Sequence, residues 1–346
     1  MKRCNVGGQA VMEGIMMKGP SSYALAVRKP DKEIALTVNP YVSLTERKKG
    51  LNIPIVRGVL NFVESLYIGT KTLMESAEYF EEEEPEESEA DRIVAKDEVS
   101  GKKENNSSNA KTEANGSNGS GKDNTESEKK EKSAGDKAFL VGTLCFSLVL
   151  AIGIFVLLPS FLANFLYKVT DSHFLVNLAE GVLRLIIFLV YIWAISKMEE
   201  IHRTFMYHGA EHKTINCLEA GDDLTPENVL KHTRFHKRCG TSFIFIVMFI
   251  SILVFMFIKT DVMWLRLLSR ILLIPVISGV SYEFIRYAGR HENAFANVLS
   301  KPGLWVQRLT TKEPTIDMAE VAIKSVTAVI DVDEYLRCVR GNCFEK

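Results

Sequence analysis

Residues 198–241 read MEEIHRTFMYHGAEHKTINCLEAGDDLTPENVLKHTRFHKRCGT, a polar stretch set between two strongly apolar runs. Five of the seven histidines lie in it: His202, His208, His212, His232 and His236, joined by Cys217 and Cys239. At its centre His208-Gly209-Ala210-Glu211-His212 has the spacing H-x-x-E-H. On a helix this stacks two imidazoles one turn apart with a carboxylate beside them. The stretch reads as a metal site at a membrane surface, and the rest of the chain is understood from it.

The flanking runs are classed by length, because a bilayer core takes roughly 17 to 25 helical residues. Four runs are candidates: Ala138 to Leu158, Phe174 to Ile195, Ser242 to Ile258 and Trp264 to Ala288. The second carries Glu180 and Arg184, an i,i+4 pair. The fourth carries Arg266, Arg270, Pro275, Glu283 and Arg286. Basic residues orient the spans. The connections around Ser160 to His173 and Lys259 to Met263 hold only Lys168 and Lys259, whereas residues 197–241 hold Lys197, Arg203, Lys213, Lys231, Arg234, Lys237 and Arg238. The expected fold is mainly α: a four-helix polytopic membrane protein with the histidine loop and both termini in the cytoplasm. Arg266 and Arg270, near the outer end of the fourth span, weaken the contrast.

The remaining segments are assigned by composition. Residues 1–80 form a cytoplasmic unit with a β-hairpin (Tyr23 to Val27 and Glu33 to Val38) and an amphipathic helix from Pro54 to Ala77. The glycine-rich start, Gly7-Gly8-Gln9-Ala10, either serves tight turns or lets backbone approach a ligand. Residues 81–137, opening on four glutamates and rich in Ser, Asn, Gly and Lys, lack the apolar surface to order themselves and read as a disordered linker. Residues 138–290 are the membrane domain. Residues 291–346 form a cytoplasmic helical cap, with Met318, Val321, Ala322, Ser325 and Val329 on one helix face, docking on the N-terminal unit or on the loop.

A net charge of −1 and the lack of a basic stripe argue against nucleic acid, leaving the lipid bilayer as the expected partner. The six cysteines form no C-x-x-C pair and read as reduced thiols. The N-terminus has no apolar core of signal-peptide length.

In the central motif His208 and His212 are the expected ligands of a divalent metal, Zn2+ by donor type, and Glu211 the residue that activates water. Glu283 is a candidate third ligand, or else an i,i+3 partner of Arg286. His232-x3-His236-x2-Cys239 is a second cluster, from which His236 and Cys239 are taken as further ligands. His202 and His291 read as interfacial or hydrogen-bonded histidines. The resulting function is a zinc-type hydrolase at the inner leaflet. The alternative is a membrane scaffold or assembly factor with a structural metal; a transporter fits less well without an internal repeat.

Four segments, Gly7 to Met17, Tyr207-His208-Gly209-Ala210-Glu211-His212-Lys213, Arg238-Cys239-Gly240-Thr241-Ser242 and Leu304 to Thr311, resemble the signature segments of the YqhQ-like membrane proteins. The likeness covers nearly the whole chain outside the linker. That family is a domain of unknown function, often labelled a predicted metal-dependent enzyme. It implies a multi-pass protein of the bacterial inner membrane and brings no substrate, fold or ligand set.

Overall fold

The computed structural model describes residues 5–81, 134–258, 263–291 and 293–341. The expected disordered linker therefore falls almost entirely outside the described residues. The chain divides into two compact units, one made of residues 1–82 and 152–346, the other of residues 83–151.

The first unit begins with a four-stranded antiparallel sheet in the order β1-β2-β3-β4, a simple meander. Its strands are β1 (Gly7–Val11), β2 (Gly14–Lys18), β3 (Ser22–Arg28) and β4 (Ile34–Pro40). The hairpin read from the sequence is β3–β4; a second, β1–β2, uses the glycine-rich start. Its turn holds Glu13 at φ 46, a conformation a non-glycine residue adopts at a cost. The Glu13 carboxylate is held by the Arg203 guanidinium and accepts from the Tyr207 hydroxyl at 3.3 Å.

Helices follow as α1 (Leu44–Arg47), α2 (Val56–Glu81), α3 (Ala134–Ile152), α4 (Leu158–Asn164), α5 (His173–Ile195), α6 (Glu199–Ala220), α7 (Pro226–Lys231), α8 (Gly240–Phe255), α9 (Met263–Arg290), α10 (Ala294–Thr310), α11 (Ile316–Thr327) and α12 (Val332–Arg340). Helix α3 belongs to the second unit up to Ala151.

Strand periodicity sorts the sheet into two apolar faces. Ile15, Met17, Ala24 and Ala26 pack with Tyr207, Ala210 and Leu218 of α6 and with Met318, Val321, Ala322 and Val326 of α11. Val11, Met16, Leu25 and Val27 pack on the other face with Ile68 of α2. The sheet is thus a middle layer between α2 and the pair α6/α11. All five residues expected on one face of the C-terminal helix are buried, and Ser325 Oγ donates to the Ala24 carbonyl at 3.0 Å. Burying that face on β2, β3 and α6 joins the two ends of the chain in one layer stack.

Among the described residues, three helical stretches are long and apolar enough to cross a membrane: Cys145–Lys168, His173–Ile195 and Leu268–Arg290. The fourth expected span is the 16-residue helix α8, near 24 Å at 1.5 Å per residue, short of the roughly 30 Å hydrocarbon core. After α5 the chain does not run straight on. Met198 is extended, and α6 restarts with Glu199 and Glu200 in its first turn, where carboxylates complement the helix dipole.

Helix α2 crosses α9 at a glycine pair. A Cβ on Gly58 would lie 3.0 Å from the Gly279 Cα, and one on Gly279 would lie 2.5 Å from Ile55 Cγ2. Ile55 itself sits at φ 71, an outlier for a β-branched residue. Beside this crossing Arg57 donates Nε and Nη2 to the Glu283 carboxylate at 2.6 and 2.5 Å, and Asn61 donates to the Tyr282 hydroxyl at 2.8 Å. Gly279→Val is expected to force the helices apart and lower the thermal unfolding midpoint in detergent by an overpacking cost of roughly 1–3 kcal/mol. Gly142→Ala, where a Cβ meets nothing within 4 Å, should leave the midpoint unchanged or slightly raised.

Candidate metal centre

Helix α6 carries the central motif, and its packing determines where each side chain goes. It ends on Gly221 at φ 84, whose N–H bonds the Leu218 carbonyl while Asp222 bonds Cys217, a left-handed C-cap that glycine permits without strain. Gly209, inside the motif, lies against the Lys312 carbonyl so closely that no Cβ fits there. The approach is fixed by the Lys312 N–H, which donates to the Phe205 carbonyl at 2.9 Å. Lys213 is buried but satisfied, donating to the Leu230 carbonyl at 2.8 Å and pairing with Glu313 at 2.9 Å.

Residues 232–239, between α7 and α8, fold back over α6. Asn216 Nδ2 donates to the carbonyls of Thr233 and Phe235 at 2.7 and 3.2 Å. Gln307 of α10, fully buried, accepts from the His236 N–H at 2.9 Å and donates to the His236 carbonyl at 2.8 Å and to Ser242 Oγ at 2.8 Å. These bonds deliver Cys239, the residue preceding α8, to the histidines of α6.

Ligand atoms of His208, His212 and Cys239 lie within 4.8 Å of one another. His208 Nε2 is 3.2 Å from Cys239 Sγ. His208 Nδ1 lies 2.8 Å from the Thr310 carbonyl and His212 Nδ1 2.6 Å from the Arg234 carbonyl. A carbonyl only accepts, so both rings carry a proton on Nδ1 and turn Nε2 towards the centre. The two rings stand 4.4 Å apart between centroids. His212 and Cys239 are buried, and His208 is partly exposed.

The electrostatics favour a thiolate. Burial alone would raise the Cys239 thiol, but the His208 and His212 imidazoles outweigh it and bring it well below the ordinary thiol range. Burial pulls His208 down, and the neighbouring Cys239, with Glu211 and the Thr310 carbonyl, holds it up to about 9. Burial pushes Glu211 up, opposed by the charges of His212 and His208. Its Cγ and Cδ occupy the space that a Cβ on Gly8 would need, each 2.9 Å from it, and the Gly8 N–H donates to the carboxylate. The second oxygen, Oε2, is buried with no hydrogen-bond partner among the described residues. Gly8 therefore allows the close approach of the Glu211 side chain.

The other expected ligands lie elsewhere. Glu283 pairs with Arg57 across the α2–α9 crossing, and Arg57 had no visible link to it in the linear order. His236 stands beside the centre, its ring 5.7 Å from that of His212, with Nε2 3.7 Å from Glu219. Burial, with Arg238 and His212 nearby, lowers its basicity. His232 pairs with Asp222 at 3.0 Å. Residues that the linear pattern did not single out, Thr310, Gln307 and Gly8, hold the centre together; a buried glutamine in an otherwise amphipathic helix was their one local signal. None of the described cysteines, Cys145, Cys217, Cys239 and Cys338, is in a disulfide, and burial pushes Cys217 up to about 12.

Comparison with known proteins gives two matches. The profile of the family described as "Protein of unknown function (DUF1385)" matches residues 53–332. A Bacillus subtilis (strain 168) protein, "Uncharacterized protein YqhQ", is 33% identical over 341 residues, covering 94% of this chain and 92% of its own. No solved structure matches. With a family profile across most of its length and a relative aligned nearly end to end, the chain belongs to the YqhQ-like DUF1385 family, a family of unknown function.

Proposed function

We propose that this chain is a metal-dependent membrane enzyme, a zinc-type hydrolase, in which His208, His212 and Cys239 hold the ion. One observation carries the reading: three ligand atoms converge within 4.8 Å, and both imidazoles are fixed through Nδ1 to main-chain carbonyls. Ligating histidines are oriented in this way, and three protein ligands leave a fourth position for water or substrate. A bound ion would supply Lewis acidity at that position. Glu211, buried beside the centre with Oε2 unpartnered, is the group placed to accept a proton from attacking water. His208, the one partly exposed member, marks the side from which substrate enters.

The membrane arrangement belongs to the same proposal. Helix α8 is read as a short fourth crossing, with the centre and both termini on the cytoplasmic face of a bacterial inner membrane, the orientation that the basic residues of 197–241 favour. The substrate is then a peptide bond or a lipid-derived ester near the inner leaflet.

A structural metal in a scaffold is the competing reading. It is favoured by the fact that the two histidines are anchored to different segments, near Arg234 and near Thr310, so an ion would pin both to α6. Metal analysis of the purified full-length protein is expected to give about one equivalent of bound ion per chain. His208→Ala, His212→Ala and Cys239→Ala should each lose most of it. A parent free of metal, or three variants that keep it, would sink the proposal. Glu211→Gln separates the two readings: metal retained with cellular function lost supports the hydrolase, and metal and function both retained supports the scaffold. Loss of metal would make Glu211 a ligand.

A further inference from the structure

Apart from the histidine motif, charged and polar side chains of α4, α5 and α9 meet within the candidate spans. Glu180 of α5 is 2% exposed and is bound from three sides. Arg270 of α9 donates Nη1 and Nη2 to its two oxygens at 2.5 and 2.6 Å. Ser160 of α4 donates to it at 2.7 Å and accepts from Arg270 at 2.9 Å. Arg184, one turn along α5, reaches it at 3.1 Å. The Arg270 guanidinium also lies 5.6 Å from the ring centroid of Phe255, at the end of α8.

The charges do not cancel. One carboxylate faces two guanidinium groups, so the cluster carries a net +1. Glu180 lies seven residues into α5, a depth of about 10 Å at 1.5 Å per residue, and Arg184 lies deeper still. The C-terminal end of α8 brings a fraction of a negative charge nearby, but its Phe255 and Ile258 carbonyls are already taken by Asn177 Nδ2 at 3.1 and 3.0 Å. Arg184 spends one Nη on Glu180, and its buried Nε has no partner among the described residues. An uncompensated cation in hydrocarbon marks a functional position.

We infer that Arg184 and Arg270 form a binding site for a single negatively charged oxyanion, the phosphate of a lipid headgroup drawn in from the bilayer. Arg270 is 11% and Arg184 17% exposed, so both are reachable. Their helices present Val182, Ile186 and Ile271 outward, and α4 presents Phe161, each more than 40% exposed, as an apolar flank for acyl chains. A phosphate would restore neutrality, held by guanidinium groups in the charge-assisted geometry that they favour. This site is independent of the metal reading.

The test uses full-length protein in a neutral detergent, with ligand retention followed by native mass spectrometry and by thermal shift. Dioctanoyl phosphatidylglycerol should be retained and should raise the unfolding midpoint, while dioctanoylglycerol, with the same tails and no charge, should do neither. Inorganic phosphate that protects as well as the lipid would assign the site to a free anion. Arg184→Gln should weaken retention roughly tenfold or more, the worth of one charge-assisted hydrogen bond. Glu180→Gln removes the cluster's one carboxylate among the described residues and should strengthen retention, which a purely structural role for the cluster would not do. Equal binding of the charged and neutral lipids by the parent protein overturns the inference whatever the variants do, and so does weaker phospholipid retention by Glu180→Gln.

Discussion

The hydrogen bonds from the Nδ1 atoms of His208 and His212 to the carbonyls of Thr310 and Arg234 are the constraint on which the centre depends. They choose the tautomer, set the ring planes and turn both Nε2 atoms to one side, towards Cys239. They also require that two segments remote in sequence be held at one helix face. Gly209, bare so that Lys312 can approach, secures the first segment, and Asn216 with Gln307 secures the second. The centre is a product of tertiary packing around α6, with the sheet and α11 supplying the apolar support beneath it.

Elements with strong local signals could be read from the linear order. Strand alternation in Tyr23 to Val27, the helical face of Met318 to Val329 and the long apolar runs each follow from a period that burial imposes. The i,i+4 spacing of His208 and His212 needs only a helix to become a pair. What could not be read was any partnership set by chain crossing. Cys239 and His236 look equivalent in the motif, yet Gln307 holds the backbone at His236 so that the thiol reaches His208 while the imidazole turns to Glu219. Glu283 looked to be in search of a partner, and Arg57, more than two hundred residues earlier, was that partner. Span length was legible, whereas the early end of α8 depends on where Asn177 takes up its last carbonyls.

The two polar clusters follow the same logic in different surroundings. Around the histidines, burial is offset by main-chain carbonyls and by the attraction between the His208 imidazole and the Cys239 thiolate. Around Glu180, burial is offset by full charges and a hydroxyl, which leaves a surplus of one. Low dielectric makes both arrangements sensitive to a single substituted atom.

The segment 232–239 is anchored through its main chain as well as its side chains: Asn216 holds two of its carbonyls, His212 a third, and Gln307 the N–H and carbonyl of His236. Asn216, His212 and Gln307 all lie outside the segment. Its course is therefore written largely in α6 and α10, and it is these helices that give Cys239 its address.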